Sequence, residues 1–250
     1  MGAALVTCRA LEVGYGGTAI LPPADVALKR GQFCAVVGRN GSGKTTWLKT
    51  VLGLIPAVAG RVEHSPALKM AYVPQRTQFD AVYPLTARQV AGLGHLVGGR
   101  PLAWHRLPRA VVDSALQAMG VGHLADQPFR SLSEGQKQRV LFARVVVTAP
   151  DLAFLDEPTA SMDVVVEREL LELVDGMRRQ RGMTVVMVTQ DLAVASEFAD
   201  ETMLVDGPSR TVLCGTPRDV IARPEFARLY GEERVRELMA HLAGPRGGCP

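Results

Sequence analysis

Two short stretches of this 250-residue chain hold residue types at a spacing suited to phosphate chemistry. The first reads Gly38-Arg39-Asn40-Gly41-Ser42-Gly43-Lys44-Thr45-Thr46, a complete GxxxxGK[ST] pattern directly after the apolar run Phe33–Val37. Its three glycines let the backbone curl so that successive N–H groups point at the β-phosphate of a nucleoside triphosphate, and the start of the following helix adds positive partial charge. Lys44 would bridge the β- and γ-phosphates, and the Thr45 hydroxyl would ligate Mg²⁺. The second stretch, Leu152-Ala153-Phe154-Leu155-Asp156-Glu157, is an apolar run ending in two carboxylates. Asp156 would hold Mg²⁺ through its water shell, and Glu157 would polarise the attacking water. Alone, such a pair reads equally well as a solvated turn; the upstream loop favours the chemical reading. Adjacent carboxylates repel, and a metal offsets the charge on one of them.

These residues need rigid elements beneath them. Apolar runs suited to buried strands occur at Phe33–Val37, Met70–Val73, Leu152–Leu155, Val185–Val188 and Thr202–Val205, separated by helix-compatible stretches. That alternation predicts an α/β fold around a largely parallel sheet. Near the start, Leu5–Val13 and Asp25–Leu28 alternate around Gly14, Gly16 and Gly17, as short antiparallel strands do. From about 77 to 135 strand-like runs thin out, Pro84, Pro101, Pro108 and Pro128 punctuate the chain, and 92–99 forms a soft glycine patch, which together predict a small helical insertion. Val235, Leu238, Met239 and Leu242, preceded by Phe226 and Leu229, recur at helical spacing and should pack on the body; Gly244–Pro250 should be disordered.

Bulk properties exclude several classes. Apolar residues at 47% and charged residues at 21% fit a folded globular chain rather than a disordered one. A net charge of +3 without a run of like charges gives nucleic acid no electrostatic footprint. No apolar stretch reaches the roughly 18 residues that cross a bilayer, and the N-terminus lacks the pattern of a secretion signal. Cys8, Cys34, Cys214 and Cys249 are scattered, which fits a reducing compartment, with Cys34 inside its strand. His64, His95, His105, His123 and His241 are dispersed without metal-ligand spacing.

A third motif specifies the class. In Ser131-Leu132-Ser133-Glu134-Gly135-Gln136-Lys137-Gln138-Arg139-Val140, Ser133 and Gln136 form a capping box that opens a helix with N–H groups facing outward, a terminus suited to a γ-phosphate. The segment resembles the LSGGQxQR signature of ATP-binding cassette (ABC) ATPases. That resemblance implies a P-loop NTPase fold: a RecA-like parallel sheet core with an N-terminal antiparallel β subdomain (1–76 and 136–230), an inserted helical subdomain (77–135), and a C-terminal helix and tail (231–250). It implies ATP and Mg²⁺ as ligands, with Ser133, Gly135 and Gln136 covering the triphosphate of a second copy. Tyr15 matches the aromatic that stacks on adenine, although a Tyr in a glycine turn also serves as a packing residue. Gln75, in Tyr72-Val73-Pro74-Gln75, matches the glutamine that senses Mg²⁺ and contacts the membrane subunits. Asp163 matches the loop that links the two nucleotide sites.

The chain departs from the family pattern twice. Glu134 replaces a signature glycine; its carboxylate suits a helix N-terminus but repels phosphate, so it should point away. Gln190, in Thr189-Gln190-Asp191, stands where the family has a histidine beside the γ-phosphate. Glutamine keeps a donor and an acceptor but cannot become a cation, so binding should survive while turnover falls. The resemblance further implies two cassettes enclosing two ATP molecules, integral membrane permease subunits, a substrate-binding protein, and a place on the cytoplasmic face of the plasma membrane. Residues 71–76 with Phe79, Asp80, residues 83–88, Gly99, Arg100, Trp104 and Arg109 resemble cassettes of manganese, zinc or iron importers. An importer cassette for another small substrate such as an iron chelate, and a hydrolysis-impaired regulatory module, are the alternatives.

Overall fold

The computed structural model describes residues 3–75, 84–96, 108–159, 162 and 164–243. The chain divides into two compact units, Met1–Pro66 with Thr184–Pro250, and Ala67–Met183.

In the first unit, β1 (Ala4–Glu12) pairs antiparallel with β4 (Ala24–Lys29) on one side and β6 (Ala59–His64) on the other. The alternation expected of Leu5–Val13 is interrupted: Leu5 and Val6 are both buried, and register shifts flank Val6 and Ala10, which adopts φ +44°. A bulge turns one strand through two surfaces, and Asp25 Oδ1 accepts the Ala10 N–H at 2.8 Å in compensation. Between them, β2 (Gly14–Tyr15) and β3 (Thr18–Ala19) form a tight hairpin around Gly16 and Gly17.

The five residues of β5 (Phe33–Val37) are all buried, as a continuous apolar run flanked by parallel partners requires. From its end the chain passes through the glycine loop into α1 (Lys44–Val51).

The second unit opens with β7 (Met70–Val73). Next come α2 (Ala87–Gly92), capped by a Thr86–Gln89 box, and a single 3-10 turn at Leu93–Leu96. Gly94 is not soft: a Cβ there would stand 2.3 Å from the Arg144 carbonyl, so the glycine permits a close backbone approach. Further on are α3 (Arg109–Ala118) and α4 (Glu134–Thr148), which packs against α2, α3 and β7. Arg88 of α2 bonds Asp113 and Asp126, and Arg109 reaches the same two carboxylates. Strand β8 (Leu152–Asp156), fully buried, runs parallel to β7, and α5 (Val164–Arg181) ends the unit.

Back in the first unit, β9 (Thr184–Thr189) and β10 (Glu201–Asp206) flank β5 in parallel, separated in sequence by α6 (Leu192–Phe198). An antiparallel edge strand, β11 (Thr211–Gly215), completes the order β11-β10-β5-β9 in this unit. Then α7 (Pro217–Ile221), α8 (Pro224–Tyr230) and α9 (Glu232–Ala243) pack on one another. Phe226 and Leu238 are buried and Val235, Met239 and Leu242 half-buried, as the helical spacing predicts. Cys34 is buried within β5. Among the described residues, no helix is long and apolar enough to cross a membrane.

Candidate functional site

The glycine loop begins where β5 ends. At Gly38 a Cβ would stand 2.2 Å from the Val205 carbonyl oxygen and 2.6 Å from Ser42 Oγ, so no other residue fits without displacing backbone. Gly41 and Gly43 hold φ of +73° and +103°, the left-handed conformations that curl the loop. The Ser42 N–H donates to Arg39 O at 3.2 Å, and the Ser42 carbonyl accepts from Gly207 N at 3.0 Å. Lys44 is buried with its Nζ donating to the Gly38 and Arg39 carbonyls, each at 2.9 Å. The loop thus supplies its own acceptors for a buried ammonium, which would otherwise carry a large desolvation cost. Thr45 follows at the first turn of α1, and Thr46 Oγ1 lies 3.4 Å from the Tyr15 hydroxyl, which places the 59% exposed Tyr15 ring beside the loop.

A cavity of about 500 Å³ opens on this loop, lined by Gly38, Arg39, Asn40, Gln190, Asp206 and Tyr230. Gln190 sits at the turn from β9 to α6. There the Thr189 hydroxyl accepts the Asp191 N–H at 3.0 Å, and Asp191 Oδ1 caps α6 through Ala193 N and Val194 N. Tyr230, at the end of α8, stacks on Phe226 with ring centroids 4.7 Å apart. Burial pushes its phenol up to about 12, with Asp206 adding to the shift and Arg39 opposing it. Sequence reasoning missed Tyr230 as a wall of this cavity; the aromatic pair at i, i+4 was the available signal, and it marks packing rather than a pocket.

Two observations test the fit of a triphosphate. The Ser42 hydroxyl is buried and has no hydrogen-bond partner, and Gly41, at φ +73°, has open space where a Cβ would project. An orphaned buried hydroxyl beside backbone N–H groups and an ammonium suits a phosphate oxygen. The residues present fit the group.

The carboxylates are assembled within the second unit. In the parallel register Tyr72 pairs with Phe154, so Asp156, two residues further along β8, projects from the same face as Tyr72. The Tyr72 hydroxyl donates to Asp156 Oδ2 at 3.3 Å, while Asp156 is 1% exposed. Burial and then the Asp156 charge raise the Tyr72 phenol well above its ordinary range. Glu157 follows with φ +46°, a conformation uncommon outside glycine. Gln75 Nε2 donates to Glu157 Oε2 at 2.6 Å, joining two residues named independently as catalytic candidates.

At the signature segment, Ser133 Oγ accepts from Gln136 N at 3.3 Å and Gln136 Oε1 accepts from Ser133 N at 3.0 Å, a reciprocal capping box that opens α4. Glu134 is drawn to its own helix: its Oε1 accepts from Lys137 Nζ at 2.6 Å. Gly135 has open space where a Cβ would project. Asp163 lies outside the described residues, as do Arg76, Phe79, Asp80, Tyr83, Gly99, Arg100 and Trp104 of the importer-like segment. Among the described residues no His, Cys, Asp or Glu cluster could hold a metal by itself.

The family model described as ABC transporter matches residues 21–160. The zinc import ATP-binding protein ZnuC of Cereibacter sphaeroides is 39% identical over 228 residues, covering 91% of this chain and 88% of that protein. A solved ABC transporter described as of metal-chelate type, in an inward-facing conformation, matches with a TM-score of 0.78 and 25% identity over 91% of this chain and 89% of its own. The cbiO1 subunit of Clostridium perfringens, part of the ABC transporter complex cbiONQ, matches with a TM-score of 0.73 and 28% identity over 95% and 99%. With its phosphate loop, paired carboxylates and capped signature helix, this chain belongs to the ABC transporter family as an ATP-binding, ATP-hydrolysing subunit.

Proposed function

We propose that the chain powers import of a divalent metal ion, zinc foremost, by closing as a dimer around two ATP molecules. The observation that carries the reading is likeness to a zinc import ATP-binding protein across 91% of this chain. Mg²⁺, when bound, supplies charge neutralisation on the β- and γ-phosphate oxygens. The residues of the chain do the rest. Loop N–H groups of 38–46 and Lys44 hold the phosphates, with the Thr45 hydroxyl and Asp156 available to the metal. Tyr15 stacks on the base. Glu157 accepts the proton of the attacking water, and Gln75, hydrogen-bonded to it, reports whether a membrane subunit is engaged. Ser133, Gly135 and Gln136 cover the triphosphate held by the second copy, and Asp163 links the two sites. Residues 77–135 act as the helical subdomain that meets the permease subunits on the cytoplasmic face, where a substrate-binding protein delivers the ion from the other side.

Gln190 lines the loop cavity without the positive charge that a protonated histidine brings, and it slows hydrolysis. The same residue favours a second reading, a nucleotide-gated module whose binding rather than turnover controls a partner. Single-turnover phosphate release separates the two: one phosphate per site on the transport timescale fits the motor, and retained ATP fits the gate. Substrate is tested by co-purifying the permease, reconstituting the complex in vesicles and measuring ATP-driven uptake of Zn²⁺, Mn²⁺ and ferric chelate. Zinc uptake supports the proposal, and transport of the chelate alone overturns it.

A further inference from the structure

Strand β7 does more for the carboxylates than lead into Gln75. We propose that Tyr72 is a positioning residue for the metal-holding carboxylate: its hydroxyl fixes Asp156 in the rotamer that presents an oxygen to Mg²⁺. The inference rests on the nucleotide reading above and adds to it a role for Tyr72, to which the resemblance assigned none.

The geometry follows from the parallel register. Because Tyr72 pairs with Phe154, its side chain shares a face with Asp156, and the hydroxyl arrives at Oδ2 from the side, at 3.3 Å. A carboxylate that is 1% exposed has few waters to orient it, so a protein donor decides which oxygen faces the metal. Tyr72 is itself held from behind: Arg144 Nη2 donates to the Tyr72 carbonyl at 2.7 Å. Arg144 lies on α4, the helix opened by the Ser133 cap, so within the second unit one residue joins the signature helix to the metal carboxylate. Three positions on, Gln75 donates to Glu157. The end of β7 therefore contacts both acids at the end of β8.

The test uses Tyr72→Phe in the full chain, which removes the hydroxyl and keeps the ring. Binding of a non-hydrolysable ATP analogue is followed by thermal shift, first in EDTA and then across a MgCl₂ titration. Loss of an outer partner of a metal ligand commonly costs about 10- to 100-fold in metal affinity. The Mg²⁺ midpoint should therefore rise about tenfold, the low end for a neutral donor, while the affinity in EDTA stays unchanged. In an Asp156→Ala background, adding Tyr72→Phe should leave the midpoint where it is, because the oxygen that accepts the hydroxyl is already gone. An unchanged midpoint in the single variant overturns the proposal. So does an equal loss of binding with and without metal, which marks a structural role, and so does an effect that persists in full in the Asp156→Ala background. If the parent chain binds no analogue under either condition, the nucleotide reading itself falls, an outcome distinct from the other three.

Discussion

The phosphate loop and the carboxylate pair do complementary work by different means. In the loop, backbone does most of it: glycines set the curl, carbonyls of Gly38 and Arg39 hold the Lys44 ammonium, and the partners are at most six residues away in sequence. At the carboxylates, side chains from β7 and the turn after it do it, with Tyr72 reaching Asp156 and Gln75 reaching Glu157 across 84 and 82 residues. The loop holds its own ammonium locally, and its distant contacts, Gly207 N to the Ser42 carbonyl and the close approach of Gly38 to the Val205 carbonyl, are made by backbone. The carboxylates depend on how β7 and β8 are paired, so anything that moves the end of β7 acts on both acids. Gln75 adjoins residues expected to meet the membrane subunits, which makes the carboxylate end the natural place for a partner to control turnover.

That contrast can be broken most severely at the loop. Lys44→Ala should lower phosphate release by about 10²–10³-fold, the cost of one preorganised charge-stabilising donor, and should weaken nucleotide binding as well. Retained turnover in steady-state assays would remove the loop from the mechanism. Gln190→His should act in the opposite direction. Restoring a group that can carry charge beside the loop should raise turnover, by less than the ~10²–10³-fold of a complete donor loss, because glutamine already provides a polar contact. An equal or lower rate in the histidine form contradicts the assignment. The smallest effect is at the signature helix, where Ser133→Ala removes one cap bond and should cost about 1 kcal/mol of stability in urea unfolding. Its effect on turnover should exceed what that loss of stability explains, since Ser133 is proposed to face the partner's triphosphate.

Legibility in the sequence followed the same division. The runs Phe33–Val37 and Met70–Val73 coincide with β5 and β7, and the spacing of the loop glycines and of Ser133 and Gln136 specified local geometry that the structure reproduces. Local signals suffice where partners are near in sequence. Strand β6 escaped notice because Ala-Gly-Arg-Val-Glu-His offers one half-buried valine; its place is set by the β1 edge, not by its own pattern. Strand β11 is an edge strand with no fully buried residue, and its pairing with β10 is likewise a tertiary fact. The bulge at Ala10 and the close approach at Gly94 each turned on a backbone carbonyl contributed by, or facing, a distant segment. Tyr72 and Tyr230 were invisible as site residues for that reason: their partners are assigned by strand register and helix packing, and the stretch that contains Tyr72 drew notice only for Gln75.

The proposed working state is a triphosphate held by the Lys44 loop and closed over by a second copy. Glu157→Gln, which removes the proposed proton acceptor and leaves the loop intact, should trap that state: with ATP and Mg²⁺ the variant should elute from a sizing column as a dimer with nucleotide bound. A monomer that retains no nucleotide would contradict it.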